Sequence, residues 1–587
     1  MSLIYDSVAV TAAIYLSVCL RLGVIWQDLD HAEVYTFAIT IGVSLIAFIK
    51  AGLYRAILRY MAQQAMASIA VGVCISSVAL ATSSYFTHSF IPRSVPIIYI
   101  FIALFFIGTP RLFIRSAVLL IHRKSKRDTE NALIYGAGYS GYQLAISIHG
   151  TNYNIMGFVD DNPKLKGTLL QGLPVYDATN IRHLIEKHRI TQVLLALGNT
   201  PRSKRSQIIA SLESLGVTVK TIPPLQDILS GKASVENIKD VEIEDLLGRD
   251  PVQPIESLMH ACITHKVVMV TGAGGSIGSE LCRQIIRQKP KRLVIFELNE
   301  YSLYKIQHEL ENEMIAEEGQ IELTSIIGSV QNPDRLEAIM ATFNVQTVYH
   351  AAAYKHVPLV EHNIIEGVKN NVFGTWYCAE AAIRAKVESF VLISTDKAVR
   401  PTNIMGTSKR VAELVLQALA QRQNTTRFTM VRFGNVLGSS GSVVPLFRQQ
   451  IKQGGPVTVT HPDIIRYFMT IPEAAELVVQ AGAMGKGGDV FVLDMGEPVK
   501  ILDLAKRMIK LSGLEIKDAN HPNGDIEIHF SGLRDGEKLF EELLIGCNAS
   551  STAHSRILRA IKKSLTWRQT QILLNNLEQA CRHYKCD

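Results

Sequence analysis

The sequence predicts an α/β protein in which four N-terminal transmembrane helices precede a small nucleotide-binding-like domain and a larger catalytic domain. Three observations support this: apolar stretches cluster at the start of the chain, two glycine-rich turns each follow a strand-like run, and strand-like and helical segments alternate after residue 266. Such alternation is typical of a parallel sheet with helices on both faces. The predicted boundaries are 1–125 for the transmembrane region, 130–225 for the small domain, 226–265 for a connector and 266–587 for the catalytic domain.

The composition is that of a membrane-associated protein with a large globular part. Only 19% of the 587 residues are charged, 48% are hydrophobic, and the mean hydropathy is +0.16. The net charge of +7 is modest for this length, and its basic excess lies near the apolar stretches, which argues against a nucleic-acid partner. The 8 cysteines include no Cys-x-x-Cys pair, so we expect a reducing compartment and no metal site.

The apolar stretches cover residues 3–26, 35–53, 66–86 and 95–112. A membrane-spanning helix needs about 20 mainly apolar residues, so these stretches predict four spans. Asp6 and Arg21 interrupt the first stretch, but both lie near its ends, where charged side chains can reach the membrane surface. Lys and Arg concentrate after the second and fourth stretches, which predicts that both termini and the bulk of the chain are cytosolic.

The small domain begins with a strand-like run and Gly136-Ala137-Gly138-Tyr139-Ser140-Gly141. This G-x-G-x-x-G spacing, with strand-like residues 155–159 and 192–197, predicts a Rossmann-like unit. Asp160 and Asp161 follow the second strand, where a carboxylate can bind a ribose. A ligand-binding role and a structural or oligomerising role both remain open for this domain.

The catalytic domain begins with an apolar run that meets the cluster Gly272-Ala273-Gly274-Gly275-Ser276-Ile277-Gly278 and then a helical pattern. Glycines allow a sharp turn and a close approach of the backbone to a pyrophosphate, whose charge then faces the N–H groups of the helix start. The next strand ends in Glu297, where a carboxylate is expected to bind the adenosine ribose. A carboxylate there repels a 2′-phosphate, so NAD is favoured over NADP.

Strand-like segments of this domain alternate with helical patterns at residues 267–271, 292–296, 321–327, 347–350, 389–394 and 429–433. Ligands of open α/β sheets bind outside the carboxyl ends of the strands. The candidate cofactor residues at these ends are Thr271, Gly272, Gly274, Ser276, Ile277, Glu297, Ala351 and Ala353.

Three further segments carry reactive side chains: HAAAYKHVPLVE at residues 350–361, FVLISTDK at 390–397 and PTNIMGTSKR at 401–410. Together with the glycine turn, which matches the TGxxGxxG type, they resemble the extended short-chain dehydrogenase/reductase enzymes that act on nucleotide sugars. More narrowly, they are similar to the membrane-anchored, CapD-like UDP-N-acetylglucosamine 4,6-dehydratases of polysaccharide biosynthesis. The resemblance covers nearly the whole chain.

The resemblance implies an enzyme of the bacterial inner membrane that uses tightly bound NAD to convert UDP-N-acetylglucosamine into a 4-keto-6-deoxy sugar. Hydride leaves C4, a base removes the C5 proton while an acid protonates the departing 6-hydroxyl, and the hydride returns to C6. By resemblance, Asp396 is the acid and Lys397 the base. We expect the pKa of Lys397 to be lowered for this task. The strand must also end near Ser394, because neighbouring side chains along a strand point to opposite faces.

One position departs from the superfamily pattern. Short-chain dehydrogenases usually carry Tyr-x-x-x-Lys, whereas this chain has Met405-x-x-x-Lys409. By resemblance, Lys409 binds the nicotinamide ribose, but a thioether cannot accept the proton of the 4-hydroxyl. That proton must leave by another route, through Thr395 and water or through Asp396. By resemblance to relatives that lack the Tyr, we expect retention at C5 and a D-xylo product.

The resemblance also assigns residues to the adenine and to the substrate. Ser329 and Val330 are expected beside the adenine, where relatives often have an Asp. The residues expected to bind the nucleotide sugar are Tyr354, Lys355, His356, Asn435, Ser442, Val443, Arg466, Arg534 and Glu537. The other expected partners are the lipid bilayer and a second copy of the chain in a homo-oligomer.

Two other functions are consistent with parts of this pattern. A nucleotide-sugar 4-epimerase shares the fold, NAD and Lys409, but it needs no acid–base pair for C5 and C6 and normally uses the missing Tyr. A non-catalytic membrane sensor of nucleotide sugar or NAD has no need of Asp396 and Lys397.

Overall fold

The computed structural model describes residues 2–27, 29–51, 53, 62–124, 130–148, 151–198, 200–222, 238–250, 252–316, 321–439, 441–542, 549–560 and 564–584. The chain divides into two compact units, residues 1–129 and 130–587. The boundary follows the predicted transmembrane region.

The first unit is helical. Its helices are α1 (Ser2–Leu22), α2 (His31–Lys50), α3 (Ala62–Phe86) and α4 (Val95–Lys124). Within the part of the chain that is described, three segments are long and apolar enough to cross a membrane: Leu3–Leu22, His31–Lys50 and Ala67–Phe86. The apolar part of α4, Val95–Arg111, is shorter, so the fourth predicted span remains a prediction. Length and composition of the other three indicate a membrane-associated unit.

Polar contacts join the helices of the first unit. Asp6 on α1 is fully buried, and its carboxylate lies 2.6 Å from Nη2 of Arg111 on α4. The side chain of Asp6 therefore does not reach a surface, contrary to the expectation from sequence. Thr40 on α2 is hydrogen-bonded to Ser83 on α3 at 3.2 Å. Such paired polar groups satisfy each other where the apolar surroundings offer no water.

The second unit begins with a seven-stranded sheet. Its strands are β1 (Glu130–Tyr135), β2 (Tyr153–Asp160), β3 (Leu169–Leu170), β4 (Leu173–Asp177), β5 (Gln192–Leu195), β6 (Thr218–Thr221) and β7 (Lys239–Asp240). The helices between them are α5 (Tyr139–Ser147), α6 (Ile181–His188) and α7 (Arg202–Leu212). The order is β3-β4-β2-β1-β5-β6-β7, parallel from β4 to β6. The edge strand β7 comes from the predicted connector.

A nine-stranded sheet forms the centre of the same unit. The remaining strands are β8 (Val267–Thr271), β9 (Arg292–Glu297), β10 (Glu322–Ile327), β11 (Thr347–His350), β12 (Ser389–Ile393), β13 (Arg427–Arg432), β14 (Asn435–Val436), β15 (Val457–Val459), β16 (Ile465–Arg466), β17 (Phe468–Met469), β18 (Asp489–Leu493), β19 (Val499–Lys500), β20 (Ile516–Lys517), β21 (Ile526–Phe530), β22 (Ala549–Ser551) and β23 (Ile557–Ala560). The central order is β10-β9-β8-β11-β12-β13-β18-β23-β22, and its first six strands follow the Rossmann order 3-2-1-4-5-6.

Helices cover both faces of this sheet. The helices of the second unit after β7 are α8 (Ile243–Leu247), α9 (Glu256–His260), α10 (Ser276–Arg287), α11 (Glu300–Ala316), α12 (Pro333–Thr342), α13 (Val357–His362), α14 (Ile364–Val368), α15 (Gly374–Arg384), α16 (Ile404–Arg422), α17 (Val443–Lys452), α18 (Ile471–Met484), α19 (Ile501–Leu511) and α20 (Trp567–Arg582). Strands β8 and β12 are buried throughout, as expected for central strands of a parallel sheet. The α/β fold class is confirmed, and the six predicted strands form with ends shifted by at most two residues.

The first sheet shares its apolar core with the C-terminal part of the unit. Leu133, Val193 and Ile209 belong to the same buried cluster as Phe447 on α17 and Ile509 on α19. An ion pair between Arg507 and Glu213 also joins the two parts. The small domain expected at residues 130–225 therefore lacks a separate interior on this side, because α17 and α19 complete it.

Removal of residues 1–129 should leave a soluble, cooperatively folding protein, because the second unit contains its own core. Thermal unfolding of the fragment 130–587, followed by circular dichroism, tests this. A fragment covering 252–587 is the matched control. It should melt at a lower temperature or aggregate, since it exposes the apolar faces of α17 and α19. Equal melting temperatures would contradict the shared core.

Candidate active site

A cavity of about 1120 Å³ opens at the carboxyl ends of the central strands. Its walls include Gly272 after β8, Ala351 after β11, Thr395 after β12 and Phe433 after β13. A smaller cavity of about 250 Å³ shares Gly272 and Ala351 with it and extends towards β9. The order of the sheet reverses between β8 and β11, which is the position where α/β sheets bind their ligands.

The glycine turn between β8 and α10 is shaped by close backbone contacts. A Cβ atom on Gly278 would lie 2.0 Å from the carbonyl oxygen of Gly272, so only glycine fits. Gly272 itself has φ +68 and passes directly beside the backbone of Ala352. Helix α10 starts at Ser276, and Ser276 and Ile277 line the larger cavity. The turn therefore presents a helix N-terminus to the cavity, a position that suits a pyrophosphate.

Glu297 is fixed at the end of β9 beside this turn. Its carboxylate accepts hydrogen bonds from the backbone N–H groups of Gly274 at 2.9 Å, Leu298 at 2.9 Å and Asn299 at 3.0 Å. The predicted adenosine-side residues Glu297, Ser329 and Val330 all line the smaller cavity. The chain thus provides a cradle that suits a dinucleotide, with the carboxylate of Glu297 in its wall, and the contact of Glu297 with the ribose stays a prediction.

The side chain of Thr271 does not line either cavity but is hydrogen-bonded inside the protein. It is fully buried, and its hydroxyl is hydrogen-bonded to Nδ1 of His350 at 2.8 Å. The other ring nitrogen of His350 contacts Thr375 at 3.1 Å. Burial lowers the pKa of His350 to about 3, so the ring is neutral and serves this network. The side chain of Thr271 is therefore engaged with His350, and the expected contact of Thr271 with the cofactor stays a prediction.

Met405 and Lys409 lie one turn apart at the start of α16, and both line the larger cavity. Asn403 caps this helix by accepting a hydrogen bond from the N–H of Gly406 at 2.7 Å. Burial lowers the pKa of Lys409 to about 8, and the negative charge of Glu413 opposes this shift. Lys409 is thus a cationic group of reduced basicity in the cavity wall.

Thr395, Asp396 and Lys397 lie in a short turn beyond β12. Thr395 caps the 3₁₀ turn Asp396–Ala398, and its hydroxyl donates to Oδ1 of Asp396 at 2.9 Å. Nζ of Lys397 lies 3.1 Å from the same oxygen. Because the strand ends at Ile393, the side chains of Asp396 and Lys397 do not have to point to opposite faces of the sheet, as neighbouring residues of a strand do. Thr395 and Lys397 line the cavity, whereas Asp396 is 1% exposed and lies behind them.

The pKa of Lys397 is raised, not lowered as expected from sequence. Burial is the largest influence and acts to lower it, but the negative charges of Asp396 and Glu541 together outweigh burial. Nζ of Lys397 lies 3.5 Å from Oε1 of Glu541 and 3.2 Å from Oδ1 of Asn435. Sequence reasoning missed Glu541, which lies four residues after the expected substrate residue Glu537 in a segment without helix or strand.

The segment that carries Glu541 packs on the catalytic turn. The carbonyl of Gly536 accepts a hydrogen bond from Nδ2 of Asn403 at 3.0 Å, and Nζ of Lys538 donates to the carbonyl of Val399 at 2.9 Å. These contacts hold residues 536–541 against the loop between β12 and α16. An acidic side chain from a distant part of the sequence is thereby brought to Lys397.

Three residues expected to bind the substrate lie outside the walls of both cavities: Arg466, Glu537 and Arg534. Arg466 is buried, and its Nη2 donates to Oε1 of Glu537 at 3.1 Å while its Nη1 donates to the carbonyl of Ile465 at 2.7 Å. Arg534 is exposed. Arg466 and Glu537 form an ion pair with each other, and the expected contact of these residues with a diphosphate stays a prediction.

The other expected substrate residues do line the larger cavity: Tyr354, Lys355, His356, Asn435, Ser442 and Val443. Asn371 holds the backbone of Tyr354 by accepting from its N–H at 2.8 Å and donating to its carbonyl at 3.0 Å. Helix α17 begins at Val443 after the cap residue Ser442. The cavity wall therefore contains a second helix N-terminus besides that of α10, which suits a second phosphate-containing ligand.

Two parts of the chain match models of known protein families. A family model described as polysaccharide biosynthesis protein matches residues 268–562. The chain belongs to the polysaccharide biosynthesis protein family. A second model, described as a CoA-binding domain, matches residues 50–223.

Individual members of the polysaccharide biosynthesis family agree. The chain is 45% identical to the capsular polysaccharide biosynthesis protein CapD of Staphylococcus aureus over 450 residues, 75% of this chain and 73% of CapD. It is 44% identical to the probable polysaccharide biosynthesis protein EpsC of Bacillus subtilis (strain 168), over 72% of this chain and 69% of EpsC. A solved structure, Pen from Bacillus thuringiensis, is 31% identical, with a TM-score of 0.45, and covers 54% of this chain and 99% of Pen. The predicted CapD-like relationship is confirmed, and with it the expectation of an enzyme of the nucleotide-sugar dehydratase or epimerase type.

Glu297→Ser should shift the cofactor preference of this family member from NAD towards NADP. The change removes a charged acceptor for the ribose and the repulsion of a 2′-phosphate. We expect NAD binding to weaken about 10- to 100-fold, since hydrogen bonds to a charged group contribute about 1.5–3 kcal/mol. Calorimetric titration with both nucleotides measures this. Glu300→Gln, an exposed acid nearby, is the control, and an unchanged preference in Glu297→Ser would show that the carboxylate does not contact the ribose.

Lys409 should lose its proton at a lower pH than an ordinary lysine, and Lys397 at a higher pH. Only a neutral amine is acylated, so Lys409 should reach half its maximal reactivity near pH 8, where its pKa lies. Lys397 should react only at higher pH than ordinary lysines, because its pKa is raised. Competitive acylation of the fragment 130–587, stripped of bound nucleotide and followed by peptide mass spectrometry, measures both profiles. Coincident profiles would contradict the assigned environments.

Proposed function

We propose that the protein is an NAD-dependent 4,6-dehydratase that converts UDP-N-acetylglucosamine into a UDP-4-keto-6-deoxy sugar with retained C5 configuration. The observation that carries this proposal is the hydrogen-bonded group Thr395, Asp396 and Lys397, of which Thr395 and Lys397 line a cavity with two helix N-termini. A dehydratase needs an acid and a base beside the same sugar ring, and this turn supplies both within about 3 Å of each other.

The cofactor fits the cradle between β8, β9 and α10. The glycine turn receives the pyrophosphate, Glu297 the adenosine ribose, and Lys409 the nicotinamide ribose. NAD bound there supplies a hydride acceptor that returns the hydride within one turnover. The close backbone contact of Gly272 and Gly278 supports this fit, because it keeps the turn tight and the start of α10 in the cavity wall.

The protons move through residues of the chain. Thr395 lines the cavity, and its hydroxyl donates a hydrogen bond to Asp396. It can therefore pass the proton of the sugar 4-hydroxyl to that carboxylate. Asp396, once protonated, gives this proton back through the hydroxyl of Thr395 to the 6-hydroxyl, which leaves as water. Neutral Lys397 removes the C5 proton and later returns it from the same side, which retains the configuration. This relay replaces the Tyr that is absent at Met405, and the proton gained from C4 equals the proton spent at C6.

The sugar nucleotide is proposed to lie opposite NAD. Ser442 and Val443 present the N-terminus of α17 to the diphosphate, while Tyr354, Lys355 and His356 line the wall between the two ligands. We further propose that residues 130–587 lie on the cytosolic side of the bacterial inner membrane, since Lys and Arg follow the second and fourth apolar stretches.

A 4-epimerase is the second candidate, favoured by a relative named UDP-glucose 4-epimerase from Rickettsia canadensis, which is 34% identical over 281 residues. Incubation of the fragment 130–587 with UDP-N-acetylglucosamine separates the two reactions. A dehydratase yields a 4-keto-6-deoxy sugar, and an epimerase yields the C4 epimer. No reaction would favour a sensor.

Isotope transfer gives the sharper prediction. Substrate deuterated at C4 should give product deuterated at C6 of the same molecule, and in heavy water C5 should gain deuterium, as read by mass spectrometry and NMR. Asp396→Asn and Lys397→Ala should each lower kcat by about 10²–10⁴-fold, the usual contribution of a positioned acid or base. KM should change far less. Deuterium that is lost from the product to solvent would contradict the direct return of hydride to C6.

Met405→Tyr tests the proposed proton relay. If Thr395 and Asp396 carry the 4-hydroxyl proton, a phenol at position 405 gives no gain in kcat, because the existing route already serves that step. Steady-state kinetics of both proteins measure the effect, with Met405→Phe as the control for added bulk. A large gain specific to Tyr would show that the site lacks a proton route and would favour an impaired enzyme.

A further inference from the structure

Lys397 has an unusual environment for a base. Its Nζ is 3.1 Å from the carboxylate of Asp396 and 3.5 Å from that of Glu541, and its side chain is only 18% exposed. Two carboxylates at this distance favour the ammonium form, which cannot remove a proton from C5. The proposed function therefore requires a group that takes the proton of Lys397 before the chemical step.

Glu541 is placed for this task. Its side chain is 3% exposed, Oε1 faces Nζ of Lys397, and Oε2 has no hydrogen-bond partner among the described residues. The charged groups that face it are Lys397, Asp396, Arg466 and Lys538. Burial is the largest influence on its carboxyl and raises its pKa, although the cations oppose this. A carboxyl that is buried in this way accepts a proton more readily than one in water.

We propose that Glu541 is a positioning residue that takes the proton from the Lys397 ammonium and so converts Lys397 into the base for C5. The inference rests on the proposed dehydratase function. The proton moves from Nζ of Lys397 to the Glu541 carboxylate, leaving a neutral amine and a neutral carboxylic acid. The amine then takes the C5 proton and later returns it to C5, so the pair starts the next turnover in the same neutral form.

Substrate binding favours this transfer. An ion pair is stable where water solvates both charges, but it loses that solvation when a ligand fills the cavity. The neutral pair loses less solvation free energy than the ion pair does. Binding of the substrate therefore moves the proton from Lys397 towards Glu541. Oδ1 of Asp396 also lies 3.1 Å from Nζ of Lys397, but it accepts a hydrogen bond from the hydroxyl of Thr395, which lines the cavity. In the proposed reaction Asp396 exchanges its proton with the substrate through Thr395, and Glu541 is the carboxylate left to take the proton of Lys397.

Glu541→Gln tests the inference, since the amide keeps the size of the side chain and cannot accept the proton. We expect kcat to fall by about 10²-fold or more, with a much smaller change in KM. Oxidation at C4 should persist, so reduced nicotinamide should accumulate and be visible by absorbance. Exchange of the C5 hydrogen with heavy water should be lost. Glu542→Gln is the matched control, because Glu542 is the adjacent acid and contacts only Arg400 at the surface among the described ion pairs.

The outcomes separate the two proposals. Wild-type protein that forms no 4-keto sugar would overturn the dehydratase function itself. Wild-type protein that transfers deuterium from C4 to C6, beside a Glu541→Gln variant with unchanged kcat and C5 exchange, would overturn only the role of Glu541. Loss of C4 oxidation in a variant with normal melting temperature and NAD content would also overturn it, because the defect would then precede the C5 step.

A second variant keeps the test decisive if Glu541→Gln does not fold. Glu541→Asp retains the charge beside Arg466 but withdraws the carboxylate from Lys397 by one methylene. C5 exchange should then fall at least about tenfold while C4 oxidation persists. Wild-type exchange in this variant would overturn the inference.

Discussion

The active site depends on a fully buried ion pair between Glu413 on α16 and Arg432 at the end of β13. Glu413 also accepts a hydrogen bond from the hydroxyl of Ser394 at 2.7 Å, so one carboxylate joins α16 to the ends of β12 and β13. Breaking such a pair by removal of one partner costs about 3–5 kcal/mol, since the other charge stays buried. This joint sets the position of Lys409, one turn before Glu413, relative to the turn that carries Asp396 and Lys397.

The two lysines of the cavity show how neighbours, and not residue type, determine basicity. Lys409 is buried with one carboxylate at a distance, and burial dominates, so its pKa falls to about 8. Lys397 is buried between two carboxylates, and their charges reverse the effect of burial. The cavity therefore holds one lysine of reduced basicity and one that keeps its proton more firmly than an ordinary lysine, although both are the same residue type.

Local pattern was enough to predict the parts of the site that lie at strand ends. The glycine turn, Glu297 and the turn at Asp396 follow directly from where buried apolar runs stop, because the carboxyl ends of parallel strands meet at one edge. Glu541 and the pairing of Arg466 with Glu537 were not predictable in this way. Both depend on a segment about 140 residues beyond the catalytic turn, held there by Asn403 and Lys538. Such contacts leave no periodic signal in the sequence.

The sequence predicted the two sheets of the second unit but not how they pack against the C-terminal helices. Two glycine turns indicated two sheets, and both are present. Sequence patterns describe which face of a helix is apolar but not which neighbour covers it, and α17 and α19 prove to be covered by the first sheet. This shared interior has a consequence for how such proteins diverge. Helix α17 presents its first turn to the ligand cavity and its apolar face to the first sheet, so the two sheets must change together. A chimera that exchanged residues 130–222 alone between relatives would join mismatched surfaces, whereas an exchange that included α17 and α19 would keep them matched.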